Sequence, residues 1–138
     1  MESVKVIDYM ERHPVKLTPD TPLSSAVEML LSKGQAGAPV VDAESHLLGF
    51  ISEQDCLAKL LESSYHCDLT AKVEDVMRTD VLSTTPDDSV LSLAEMMLGQ
   101  KPKIYPVVES DRVVGIIDRS RVLQAIGTHL KVCFRHAV

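Results

Sequence analysis

Leu47-Leu-Gly-Phe-Ile-Ser-Glu-Gln-Asp-Cys-Leu-Ala-Lys-Leu-Leu61 changes its hydrophobic period part-way along. The apolar run across Gly49 reads as a short buried strand, whereas Leu57, Leu60 and Leu61 follow helical spacing. A strand therefore becomes a helix at Ser52. Ser52 and Asp55 fall at the N-cap and third position of that helix. Free backbone N–H groups and the positive end of the helix dipole favour anions and hydrogen-bond acceptors there. The stretch recurs as Val113-Val-Gly-Ile-Ile-Asp-Arg-Ser-Arg-Val-Leu123, with Asp118 and Arg121 at the two polar positions.

Working outward from these two stretches reveals an internal repeat. Aligning Asp8 with Asp75 also aligns Met10 with Met77, Pro19-Asp20 with Pro86-Asp87, Glu28-Met29 with Glu95-Met96, and Pro39-Val-Val with Pro106-Val-Val. One residue is lost in the turn, and Gly49 then falls on Gly115. The boundary is set at residues 1–66 for the first repeat, and 67–138 for the second with its tail.

Each repeat begins with a short segment, Val6 to Met10 or Val73 to Met77, and a brief strand around Pro14 to Leu17 or Val81 to Ser83. A helix follows, with Thr21 as N-cap, Pro22 in its first turn and Gly34 at its end. Leu23, Ala26, Val27, Leu30 and Leu31 form its buried face, and Val90, Leu93, Ala94, Met97 and Leu98 repeat that spacing. Two apolar strands, Ala38 to Val41 and Leu47 to Ile51 in the first copy, precede the final helix. The order is β-α-β-β-α, twice. Such small sheets cannot bury both helices alone, so an α+β fold is expected in which the repeats pack through their sheets into one pseudo-twofold module.

The chain has 138 residues, 45% of them hydrophobic, which is enough for a real core. Its formal charge of −6 disfavours non-specific nucleic-acid binding, although Lys101, Lys103, Arg119 and Arg121 are a local basic exception. No apolar run approaches membrane-spanning length, and the opening Met-Glu-Ser-Val-Lys has no secretory pattern. Three widely spaced cysteines argue against a disulfide framework and for a reducing compartment, so a cytoplasmic location is expected.

The repeated Val-Ile-Asp-Tyr-Met and Val-Glu-Asp-Val-Met openings, the Pro-Asp before the first helix, the Pro-Val-Val strand and the Gly-apolar-Ile-Ser/Asp entry to the last helix resemble a pair of CBS domains, or Bateman module. The resemblance covers nearly the whole chain. It implies a regulatory protein rather than an enzyme, one that binds AMP, ADP, ATP or S-adenosylmethionine in clefts between the repeats. It also implies a homodimer that signals to an effector protein, with no cofactor required. By the same resemblance, Asp55 holds ribose hydroxyls and Ser52 lies near phosphate. His13 and Val15 on one side, and Gln35, Ala36 and Gly37 on the other, cradle adenine. An ionised carboxylate can accept both hydroxyls of a cis-diol, which makes the assignment chemically sound.

The second repeat departs from the pattern. Asp118 replaces the Ser/Thr and Arg121 replaces the ribose-binding Asp, placing a cation with no acceptor capacity where diol acceptance is required. Unequal occupancy of the two sites is expected. Lys103, Asp118, Arg119 and Arg121 are the second-repeat candidates for phosphate contact. Ser52 and Asp55 equally fit a capping box that needs no ligand, so a ligand-free dimerisation or protein-interaction module is the alternative. His129, Cys133 and His136 hold nitrogen and sulfur donors, yet no fourth ligand is evident and no metal is expected. Cys56 belongs to the core, and no Ser-His-Asp or Cys-His arrangement is placed. Leu30, Leu31, Met97, Leu98, Leu60 and Leu61 are candidates for a helical dimer interface.

Overall fold

The computed structural model describes residues 4–136, and side chains as far as Cys133. The chain is α+β, with helices α1 (Leu23–Lys33), α2 (Glu53–His66), α3 (Val90–Met96) and α4 (Arg119–His136). Strands β1 (Gly37–Val41) and β2 (Leu47–Ser52) form one antiparallel pair, and β3 (Ile104–Glu109) and β4 (Arg112–Asp118) form another. Both pairs are hairpins between helices, as the change of period at Ser52 and Asp118 requires.

The expected brief strands shrink to single parallel bridges. Leu17 pairs with Val40, donating to the Pro39 carbonyl at 3.0 Å and accepting from Val41 at 2.8 Å. Thr84 makes the corresponding pair of bonds with Pro106 and Val108. The start of α1 also differs by one residue. Thr21 does not cap it: the Thr21 hydroxyl turns back to Thr18 at 2.9 Å, and Pro22 becomes the N-cap residue. Gly34 closes α1 in the left-handed conformation, φ 66°, where a Cβ would be strained.

Two compact units form, and they do not follow the linear repeats. One comprises His13–Val81 with Ser110–Val113; the other comprises Met1–Arg12, Leu82–Glu109 and Val114–Val138. The opening segment of each repeat thus joins the unit built mainly from the other repeat. In the first of these units, Val73 donates to the Thr21 carbonyl and Glu74 to that of Pro19, both at 2.9 Å. In the second, Val6 donates to the Asp88 carbonyl and Ile7 to that of Pro86, both at 3.0 Å.

Apolar burial explains the exchange. Val73 is fully buried with Leu17, Leu23, Ala26, Leu30, Val40, Ile51 and Cys56, while Val6 and Met10 are buried with Val90, Leu93, Met97, Tyr105, Val107 and Ile117. Full burial of a valine contributes roughly 1.5–3 kcal/mol, enough to hold a short segment whose own regular structure is a single 3-10 turn, Val6–Asp8 or Val73–Asp75.

The predicted helix faces divide cleanly. Leu23, Ala26 and Leu30 are core, but Leu31 is 69% exposed; Val90, Leu93 and Met97 are core, but Leu98 is 73% exposed. Leu60 packs partly against the core and Leu61 is exposed. Leu31 lies at the rim of the α1 stripe, whereas α3 ends at Met96 and Leu98 falls beyond it, so the period alone includes positions that the core does not.

Candidate functional site

Glycine decides how the site is built. A Cβ at Gly49 would stand 2.7 Å from the Arg78 carbonyl oxygen and 2.8 Å from Met77 Sδ. Without it, the backbone at Arg78 lies against β2, and Phe50 and Arg78 exchange N–H to carbonyl bonds at 2.8 Å in both directions. Gly115 does the same in the other unit, where a Cβ would meet the Glu11 carbonyl oxygen at 2.5 Å. Glu11 donates to Ile116 at 2.7 Å and accepts from it at 3.0 Å.

Ser52 ends β2 in extended conformation and caps α2. Its Oγ accepts the Asp55 N–H at 3.1 Å, while Asp55 Oδ2 accepts the Ser52 N–H at 3.1 Å. This reciprocal box contributes on the order of 1 kcal/mol to the helix start. Arg78 completes the cluster. Its Nη2 donates to Asp55 Oδ1 at 3.0 Å, and its Nε approaches Oδ1 and Oδ2 at 3.2 and 3.3 Å. Partial burial raises the Asp55 carboxyl, but the bonds from Arg78 and Ser52 and the guanidinium charge outweigh it, leaving the pKa below the usual 3.8. The Asp55 side chain is 13% exposed and that of Arg78 is 66% exposed. An ion pair with so much solvent contact is worth only about 1 kcal/mol, so it is readily exchanged for another partner.

The other unit holds the same construction with its charges exchanged. Asp118 Oδ1 accepts the Arg121 N–H at 2.9 Å, so Asp118 caps α4 as Ser52 caps α2. Arg121 Nη1 donates to the Tyr9 carbonyl at 2.8 Å and Nη2 to Glu11 Oε2 at 2.9 Å. At the repeat offset Arg121 corresponds to Asp55 and Glu11 to Arg78. The sequence reading missed both Arg78 and Glu11, although the signal was present as opposite charges at aligned positions just past the repeated methionines, Met10 and Met77, of the two openings. Lys103 and Arg119 are exposed and adjacent, the Lys103 carbonyl accepting the Arg119 N–H at 2.8 Å. Ala36 and Glu53 make the equivalent bond at 2.9 Å.

Val15, Gln35 and Gly37 come together. The buried Gln35 amide accepts the Val15 N–H at 2.9 Å and donates to the Val15 and Gly37 carbonyls at 3.0 and 2.9 Å. The Val15 donor is therefore engaged, and a side-chain amide substitutes for a missing strand partner. Gly37 serves packing, since a Cβ there would lie 2.8 Å from the Phe50 ring. His13 and Ala36 are exposed. A shallow hollow of about 460 Å³ beside Val15 is lined by Glu28, Met29, Ser32 and Lys33.

Two further clusters lie outside this site, and the first was not singled out by sequence. Asp42, Glu44 and His46 bring one donor atom each within 4.8 Å of one another. Asp42 Oδ1 accepts the N–H groups of Glu44 and His46, both at 2.9 Å, and Oδ2 lies 2.9 Å from His46 Nδ1, which is how a polar hairpin turn closes itself. On α4, Cys133 Sγ lies 3.3 Å from His129 Nε2, a Cys–His contact that one helical turn creates and that the sequence reading did not place. The helix runs on to His136, whose side chain is outside the described residues. Cys56 is buried in the core.

The profile of the CBS domain matches residues 6–62 and 73–128. The chain belongs to the CBS domain family. As a tandem CBS pair it superposes with TM-score 0.82 on a Vibrio cholerae protein provisionally assigned to acetoin utilization (AcuB), at 34% identity over 94% of this chain and 96% of that one. It also superposes with TM-score 0.80 on CBSX2, an Arabidopsis thaliana CBS-pair protein crystallised in complex with AMP, at 27% identity over 94% and 99% of the two chains. In sequence it is 29% identical over 123 residues to the uncharacterized protein MJ1225 of Methanocaldococcus jannaschii. That match covers 89% of this CBS chain and 43% of the relative, so the chain spans less than half the length of that curated protein. Among the described residues no helix is long and apolar enough to cross a membrane.

Proposed function

We propose that this CBS pair is a regulatory sensor that binds an adenosyl ligand, AMP, ADP, ATP or S-adenosylmethionine, through Asp55 and Ser52 and passes its occupancy to a partner protein. The observation that carries this reading is the Asp55 carboxylate, held ionised at the third position of α2 beside Ser52 by an exchangeable partner. An ionised carboxylate there suits a cis-diol, and the helix start suits a phosphate. The AMP complex of the related CBSX2 supports the ligand class. Val15, Gln35, Ala36, Gly37 and His13 supply a base cradle by shape more than by open backbone donors, because Gln35 engages Val15.

Among the second-repeat candidates, Lys103 and Arg119 suit a phosphate best. Arg121 is already held by Tyr9 and Glu11, and Asp118 is an N-cap carrying a negative charge. The protein acts as a homodimer through exposed apolar residues, Leu31, Leu57, Leu61 and Leu123 on its helices and Leu98 just beyond α3. A ligand shifts such an assembly only through different affinity for two of its states, which is how occupancy reaches a partner.

The second reading is a ligand-free structural module. It is favoured by one observation: Ser52, Asp55 and Arg78 satisfy one another within the chain. Calorimetry with the four adenosyl ligands separates the two. Heat of binding that disappears in Asp55→Ala supports the sensor; no heat with any ligand supports the structural module.

A further inference from the structure

The acceptor capacity of Asp55 is already in use. Oδ1 receives Arg78 Nη2 and Nε, and Oδ2 receives the Ser52 N–H and the second branch of Arg78 Nε. A cis-diol needs two of these acceptor positions, and the carboxylate is 13% exposed, so a ribose cannot engage it while the guanidinium stays in place. The Ser52 bond belongs to the helix cap, so Arg78 is the partner that must leave.

Leaving is mechanically simple. Arg78 is fixed to β2 by its backbone pairing with Phe50, whereas its side chain is 66% exposed and free to turn on its own stem. Its destination is not neutral. Once released, a guanidinium with five donors and no acceptor stands beside the start of α2, where the dipole and the free N–H groups are also positive. That combination favours an anion, and the anion must come from the ligand that displaced it.

We propose that Arg78 is a specificity-determining residue, masking Asp55 until a ligand offers both a cis-diol for the carboxylate and an anionic group for the released guanidinium. This rests on the adenosyl-sensor reading above. It selects phosphorylated nucleosides over neutral ones at the Asp55 site. The other unit offers no such exchange, because Arg121 takes the position of the acceptor and Glu11 that of the mask.

Isothermal titration of the full chain with AMP and with adenosine tests this, using wild type, Arg78→Gln and Arg78→Lys. Wild type is expected to prefer AMP by about tenfold or more, the scale of one charge-assisted contact. Arg78→Gln removes both mask and anion partner, so adenosine binds more tightly than to wild type and the preference falls to about threefold or less. Arg78→Lys keeps the charge without the two-pronged contact and shifts in the same direction by less; it carries the test if the Gln variant does not melt cooperatively. A wild-type ratio retained in the variants, or weaker adenosine binding in them, overturns the role of Arg78 while leaving the sensor reading intact. Absence of binding by AMP and adenosine to all of the folded proteins overturns the masking role; the sensor reading falls with it when ADP, ATP and S-adenosylmethionine also give no heat.

Discussion

Glu11 and Arg121 occupy in one unit the positions that Arg78 and Asp55 occupy in the other, with the charges exchanged. In each unit a cation and an anion meet at 2.9 or 3.0 Å between the third position of a helix and the end of an opening segment. The geometry is kept and the chemistry is not: one helix start presents a carboxylate, the other a guanidinium. This exchange puts a hydrogen-bond acceptor at the third position of α2 and a side chain that only donates at the third position of α4.

The exchanged pair predicts its own rescue. Arg121→Asp sets a carboxylate against Glu11 and loses the Tyr9 contact, and is expected to cost about 1 kcal/mol or more. Adding Glu11→Arg recreates the polarity of the other unit and should recover about half of that loss. Urea denaturation of the two single variants and the double variant measures the coupling, and simple additivity would count against it.

The glycines make a sharper contrast. Gly115→Ala drives a Cβ to 2.5 Å from the Glu11 carbonyl oxygen and Gly49→Ala drives one to 2.7 Å from that of Arg78, where backbone has to move. Each is expected to destabilise by about 1–3 kcal/mol. Gly127 lies within α4 with nothing within 4 Å of its added Cβ. Gly127→Ala should stabilise by about 0.5–1 kcal/mol through helix propensity. Thermal melts of the three variants give the order directly.

Asp55 predicts an acid-side dependence. Its folded pKa lies below 3.8, so its stabilising contribution is fully present above the unfolded value and is lost as pH falls through the folded one. The stability difference between wild type and Asp55→Asn is expected to be constant from pH 7 to about pH 5 and to shrink below about pH 4. Denaturation at pH 7, 5 and 3 checks it, and a difference unchanged at pH 3 would speak against the pairing with Arg78.

Exposed leucines carry the dimer prediction. Leu61 on α2 is 57% exposed and Leu98, beyond α3, is 73% exposed, so a charge at either spares the core. Leu61→Asp and Leu98→Asp are expected to shift sedimentation toward monomer with unchanged circular dichroism; a sedimentation coefficient equal to wild type would remove these faces from the interface.

The four helices, both hairpins and the capping role of Ser52 were legible because each depends on neighbours within a few residues, and the repeat because its matches share one offset. The exchange of opening segments was not, since Val6 and Val73 look alike in sequence and only tertiary burial decides which core each enters. Leu30 and Leu31 differ by one residue, yet one is core and the other 69% exposed, because the edge of a helical stripe depends on what packs beside it. Arg78 and Glu11 were in view at a constant offset, but their partners lie 23 and 110 residues away, and no local period links them. The family resemblance implied that Val15 and Gln35 belong to one neighbourhood, but not the three bonds by which the Gln35 amide holds Val15 and Gly37.

The most direct test of the sensor reading is titration of AMP into the full chain and into Asp55→Ala at equal concentration and salt. The account predicts saturable binding at one class of site per chain, abolished in Asp55→Ala while the variant still melts cooperatively. Binding that survives Asp55→Ala with unchanged affinity, or two equivalent sites per chain, would contradict it.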